Sequence, residues 1–107
     1  MAETAQYQIV HNKAAGQWEA QLADTIGTNE PKVIGYLAYD YLDASILLTA
    51  TVVMREYRGL GLAGKLVRTA LEEIKAEGKY AVVPICSYVQ DFMNKYPEYK
   101  ALEPKAN

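Results

Sequence analysis

Cysteine and histidine are almost absent from this chain, with one of each in 107 residues. A lone cysteine cannot close an intramolecular disulfide, and one cysteine with one histidine cannot build a Cys/His metal cluster. A basic surplus is missing too. Eleven Lys and Arg stand against thirteen Asp and Glu, for a formal net charge of -2. Sequence-independent nucleic-acid binding needs clustered positive charge. Apolar runs such as Ile46-Leu47-Leu48 and Val82-Val83 are strand-sized, against the roughly 20 residues that cross a bilayer. The first residues carry no basic-then-apolar leader pattern, and no segment repeats or falls to low complexity. These absences set an expectation of a soluble, cytoplasmic protein with no metal, nucleic acid or membrane among its partners.

What is present reads as one globular domain over residues 1–107, with its core at about 7–102. Half the residues are hydrophobic and 22% are charged. Tyr7 to Asn12 alternates polar and apolar, as a half-buried strand does. Ala14-Ala15-Gly16 turns it into a hairpin partner over Gln17 to Ala23, and Gly27 to Pro31 is a turn-rich tip. Lys32 to Tyr41 is a third strand, with Val33, Gly35, Leu37 and Tyr39 on one face and Ile34, Tyr36 and Ala38 on the other. Ser45 to Val53 is apolar on both faces, the pattern of a central strand covered on both sides. Then the period changes. Leu62, Leu66, Ala70 and Ile74 form a stripe widened by Val67 and Leu71, a helix of about four turns ended by Gly78. Tyr80 to Ile85 is a short strand whose Pro84 suits a sheet edge. Cys86 or Ser87 opens a second helix that Pro97 stops, and a short turn through Glu98 to Leu102 precedes a polar tail. The order is β-β-β-β-α-β-α, an α+β fold with a mostly antiparallel sheet ending in one β-α-β crossover.

Between the fourth strand and the first helix lies Arg58-Gly59-Leu60-Gly61-Leu62-Ala63-Gly64-Lys65. A helix N-terminus leaves backbone N–H groups unpaired and carries the positive end of the helix dipole. Small residues let an anion approach those groups, and Arg55, Arg58, Lys65 and Arg68 add charge nearby. Three phosphate-binding motifs compete for these letters. Gly59-x-Gly61-x-x-Gly64 matches the dinucleotide fingerprint, but the next strand ends Val83-Pro84-Ile85 without the carboxylate that holds a ribose. Gly59-x-x-x-x-Gly64-Lys65 approaches the nucleoside-triphosphate loop, but Leu66 stands where Ser or Thr must hold magnesium. The third is the [Gln/Arg]-x-x-Gly-x-[Gly/Ala] pyrophosphate loop of an acetyl-coenzyme A site, matched by Arg58, Gly61 and Ala63. A Gly-rich turn that only packs a strand on a helix is the remaining reading.

With that loop placed after a long strand and before helix, strand and helix, the chain resembles the GCN5-related N-acetyltransferases. The segments Val82-Val83-Pro84-Ile85-Cys86-Ser87-Tyr88-Val89 and Asn94-Lys95-Tyr96-Pro97-Glu98-Tyr99 are similar to the compact, YjdJ-like branch of about a hundred residues. The resemblance covers Tyr7 to Leu102. It implies a GNAT-like fold whose central and following strands splay to hold acetyl-coenzyme A, and transfer of the acetyl group to a primary amine of a small molecule or protein. A coenzyme A-binding module with little catalysis is the alternative. The cofactor-binding residues it implies are Val52, Val53 and Met54 through their backbone, and the loop Arg58, Gly59, Leu60, Gly61, Leu62, Ala63, Gly64 and Lys65.

The resemblance brings Cys86 near the acetyl thioester. Two readings of it are open: a thiolate, its pKa lowered by the following helix, that accepts the acetyl group, or a small buried hydrophobe. Tyr88 and Tyr96, with Tyr99 just beyond, are candidates to protonate a departing thiolate, against the commoner role of tyrosine in cores. Two departures stand out. Relatives often have His-Thr-Glu in the central strand where this chain has Ala50-Thr51-Val52, and His where it has Tyr96. His11 is expected to be solvated or core, and Trp18 to be core. The acceptor is not specified by the residues, and the edge near Tyr80 to Pro84 leaves monomer and homodimer both open.

Overall fold

The computed structural model describes residues 7–22 and 31–105. The expected tip Gly27 to Pro31 therefore lies outside the described residues except for Pro31. Five strands form one sheet in chain order: β1 (Tyr7–Asn12), β2 (Gln17–Leu22), β3 (Lys32–Leu42), β4 (Ser45–Val53) and β5 (Ala81–Pro84). The first three pairings are antiparallel and β4–β5 is parallel. The parallel pair needs a crossover, supplied by helix α1 (Leu62–Glu77). Helix α2 (Ser87–Lys95) follows β5, and a 3-10 turn over Pro97–Leu102 ends the fold.

The stripe on α1 is buried as its spacing predicts: Leu62, Leu66, Val67, Ala70, Leu71 and Ile74 all face inward. They pack with Trp18, Leu37, Ile46, Leu48 and Val82 of the sheet and with Val89, Phe92 and Met93 of α2 in one core. Gly78 ends α1 at φ 68°, its N–H closing on the Ile74 carbonyl. That left-handed position is one glycine adopts without a Cβ clash.

Two expectations about strand faces are corrected. Val33 is exposed and Ile34 is fully buried, together with Gly35, Leu37 and Tyr39. The pairs Ala20–Gly35 and Gln21–Val33 leave Ile34 as the extra residue of a β-bulge, and a bulge interrupts strict two-residue alternation. The second concerns β4. Ile46 and Leu48 are buried, but Leu47 and Thr49 on the other face are half-exposed and Val52 is exposed. Only one face of the strand is fully covered. A second bulge, at Thr49, lies between the pairs Tyr39–Leu48 and Ala38–Ala50.

Candidate functional site

The sheet opens where β4 and β5 separate. Their pairing runs from Ser45–Ala81 to Leu48–Pro84 and goes no further. The Leu48 carbonyl accepts the Ile85 amide, the last bond of the parallel ladder, and also the Cys86 amide as the chain turns away, at 3.0 and 2.9 Å. From there β4 continues to Val53 while the other chain turns into α2.

The amide of Met54 bonds the Ile34 carbonyl at 2.9 Å. Because backbone groups alternate sides along an antiparallel pair, Val53 and Thr51 then point away from β3, toward the gap. Of the three residues expected to offer backbone groups there, Val53 turns its groups to the gap, its carbonyl accepting from Arg58 Nε. Val52 is turned to β3, and Met54 is committed on both sides, its carbonyl accepting the Tyr57 amide at 2.9 Å. Thr51 takes their place. Sequence reasoning missed it because the deciding signal is the register set by Met54 and the Thr49 bulge.

The loop beyond β4 begins with a 3-10 turn over Arg55–Tyr57. Gly59 and Gly61 both have left-handed backbone, φ 87° and 79°, and a Cβ on either would meet nothing within 4 Å. Glycine is required here by conformation, not by crowding. The first α1 bond of the loop is Lys65 N–H to the Gly61 carbonyl, 3.1 Å. The amides of Gly59 through Gly64 have no backbone acceptor among the described residues and surround an opening that suits an anion. Arg58 donates Nε to the Val53 carbonyl at 3.0 Å, which lays its guanidinium at the mouth of the gap.

These pieces enclose a cleft of about 510 Å³ between Thr51–Val53, the loop and Tyr88. Arg58, Gly59, Gly61, Leu62, Ala63 and Gly64 line it, and so does Tyr57, which was not singled out. Leu60, Lys65 and Met54 lie outside the lining. Arg68 is withdrawn from it. Its guanidinium lies 4.6 Å over the Tyr96 ring and bonds the Tyr99 hydroxyl at 3.1 Å. Tyr96 is thereby on the α1–α2 side, packed on Phe92 at 4.8 Å, and does not reach the cleft. Neither does Tyr99, whose hydroxyl donates to Glu72 at 2.6 Å.

Cys86 is half-buried directly behind this lining, its Sγ 3.4 Å from the Thr51 hydroxyl. It is the N-cap residue of α2. Burial pushes its thiol up, but the Thr51 hydroxyl and the nearby amides of Val89, Tyr88 and Thr51 outweigh that, and the net effect is a lowered pKa. The sulfur makes no full capping hydrogen bond, so the amides act on it by their field more than by close contact. Tyr88, 40% exposed, lines the cleft on the same turn of helix.

His11 is half-buried on the sheet. It stacks on Trp18 at 4.1 Å, its Nε2 is 2.7 Å from the Tyr39 hydroxyl and its Nδ1 is 3.5 Å from Glu73. Trp18 is core, as expected, and its indole N–H bonds Glu73 at 2.9 Å.

A five-stranded sheet opened at β4–β5, with a glycine-rich loop at the head of the crossover helix, defines an α+β domain of GNAT-like fold. A family model described as GCN5-related N-acetyl-transferase matches residues 23–102, and the chain belongs to that family. No curated protein matches the chain. Family membership supports an acyltransferase-type function in general, and proteins of this family typically use acetyl-coenzyme A. Among the described residues no group of His, Cys, Asp and Glu could hold a metal ion, and no helix is long and apolar enough to cross a membrane.

Proposed function

We propose that the chain binds acetyl-coenzyme A in the β4–β5 cleft and transfers the acetyl group to a primary amine. The observation that carries this reading is the coincidence, in one cleft, of free strand backbone and an anion cradle. Thr51 and Val53 offer peptide groups to an extended amide-bearing arm, in the manner of an added strand. The amides from Gly59 to Gly64, with Arg58, offer a site for a pyrophosphate. The open space at Gly59 and Gly61 leaves room for phosphate oxygens to approach the backbone. The donor set therefore fits the molecule.

In direct transfer, the amine nitrogen attacks the acetyl carbonyl carbon and the thioester C–S bond breaks. The amine proton passes to solvent, and the departing thiolate takes a proton from the Tyr88 hydroxyl, which solvent then replaces. In the covalent route the Cys86 thiolate attacks the acetyl carbonyl carbon and the original thioester C–S bond breaks. Coenzyme A leaves as a thiolate that takes its proton from Tyr88 or solvent. The amine then attacks the acetyl carbon on Sγ, the new C–S bond breaks to return the Cys86 thiolate, and the amine proton passes to solvent. The environment of Cys86 stabilises the ionised form that this route needs. Tyr96, bound under Arg68, takes no part in either.

A second reading, a coenzyme A-binding module with little catalysis, is favoured by one feature. No imidazole or carboxylate lines the cleft among the described residues, so neither of those bases is there to take the amine proton.

Thermal denaturation tests the binding. Acetyl-coenzyme A should raise the melting temperature while ATP and NAD leave it unchanged; stabilisation by ATP or NAD instead would sink the proposal. Arg58→Ala should weaken binding by roughly 1–3 kcal/mol, the loss of a charged hydrogen bond to phosphate. Intact mass after incubation with acetyl-coenzyme A separates the routes. An acetyl adduct absent in Cys86→Ala identifies the covalent one. Thiol release with an amine but no adduct identifies direct transfer, and neither signal leaves the binding module.

A further inference from the structure

A second cleft lies at the opposite end of α1, on the order of 24 Å from the glycine-rich loop if one counts 1.5 Å per residue from Gly61 to Glu77. It has a volume of about 420 Å³ and opens between the last turns of α1 and the ends of β1, β3 and β4. One wall is aromatic. Tyr41 and Tyr80 pack at 4.7 Å, Tyr41 meets Tyr39 edge-on at 5.3 Å, and Trp18 forms the floor under His11. The other wall carries Glu73 and Glu77, one helical turn apart. Glu73 is held by the Trp18 indole, but Glu77 is exposed and makes no ion pair among the described residues.

The charge in this cleft favours a cation. Lys13 is the one Lys or Arg in its lining among the described residues, against two carboxylates; Lys79 lines the adjoining pocket of about 280 Å³ that shares Tyr41, Tyr80 and Glu77. The terminal carbonyls of α1 add partial negative charge at the same end. Tyrosine rings attract cations through their negative faces, most strongly where water is partly excluded. Tyr41 is 51% exposed although it sits against two other rings, which leaves ring surface available to a ligand.

We propose that this cleft is a binding site for an organic ammonium ion, held between the Tyr41–Tyr80 pair and Glu77. The ligand is an alkylated ammonium whose apolar groups rest on the rings while its charge faces the carboxylates. The site is independent of the acyl-transfer cleft and does not rest on the reading of that cleft.

Trp18, the only tryptophan in the chain, reports on this cleft from its floor. The probe is choline, which no acetyl transfer to nitrogen can consume, compared with 3,3-dimethylbutan-1-ol, its uncharged isostere. Choline should change Trp18 fluorescence saturably, and the isostere should give no saturable change at the same concentrations. Glu77→Gln and Tyr41→Leu, both at exposed positions, should each weaken choline binding about two- to fivefold, the size of one exposed ion-pair or cation–π contact. The proposal is overturned by the absence of a saturable choline response, by an equal response to the neutral isostere, or by undiminished binding in both variants.

Discussion

Replacing Tyr99 by Phe isolates one hydroxyl that ties the end of the chain to α1. Tyr99 is 2% exposed, and its hydroxyl donates to the Glu72 carboxylate at 2.6 Å while accepting from Arg68 at 3.1 Å. Hydrogen bonds to charged groups contribute about 1.5–3 kcal/mol each, and a buried partner left unpaired adds to the loss. Here the partners are exposed residues, so water replaces the lost bonds and the cost falls below the sum of two such bonds, to about 2 kcal/mol in total. The ring remains and keeps its packing on Phe92, so no cavity term is added. For a domain of this size 1 kcal/mol shifts the melting temperature by roughly 4–8 °C, which puts the expected loss at roughly 8–16 °C. Scanning calorimetry of Tyr99→Phe, Glu72→Ala and the double variant measures it. The two changes should be strongly non-additive, because both remove the same bond. A melting temperature within about 2 °C of the parent, or strictly additive effects, would refute the reasoning and make the contact a surface pair with no net contribution.

The lowered Cys86 thiol predicts that alkylation by iodoacetamide reaches half its maximal rate at a pH below that of an unperturbed cysteine, and that Thr51→Val moves this midpoint up; a midpoint at or above the ordinary value contradicts the assigned role of Thr51. His11 predicts an acid limb of stability. Burial first, and Lys13 in addition, lower its pKa from 6.5, while Glu73 and Glu77 oppose. The unfolded chain then takes up a proton more readily than the folded one, so the contribution is present above about pH 6.5 and is lost as pH falls through the folded-state value. The urea midpoint should drop between pH 7.5 and 5.5 in the parent and drop less in His11→Gln; equal drops would assign the effect to other groups. Tyr39 gives the opposite limb. Burial, then the neighbouring Tyr41 and the charges of Glu73 and Glu77, push it up to about 12, so stability present below pH 10 should fall as pH rises toward 12, and Tyr39→Phe should flatten that fall.

Local periodicity made much of the fold legible. The α1 stripe needs only the spacing of Leu62, Leu66, Ala70 and Ile74, and Gly78 marks its end by chemistry that is local to one residue. The glycine-rich start of α1 was legible for the same reason, since a helix start and its glycines are neighbours in sequence. Long-range register was not. Whether Val33 or Ile34 faces the core depends on the partner strand β2, where Gln21 pairs with Val33 across a bulge, and no pattern within β3 alone encodes that. Tyr96 and Arg68 look available for chemistry in the sequence. Twenty-eight residues apart, they meet over one ring face, and each withdraws the other from the cleft.

The opening of the sheet follows from a small set of backbone facts. The Ile85 amide closes the ladder on the Leu48 carbonyl and the Cys86 amide turns onto the same carbonyl, so β5 has no donor left to follow β4 and the groups of Thr51 and Val53 stay uncovered by it. The bulge at Thr49 then decides which groups are uncovered, because it shifts the alternation between Leu48 and Thr51 by one residue. Cys86 sits at the fork itself, its amide on the Leu48 carbonyl and its sulfur beside Thr51. The Cys86 thiol is therefore fixed by the same carbonyl at which the cleft opens. A change that closed the fork would cover the strand backbone of Thr51 and Val53 and displace the thiol together.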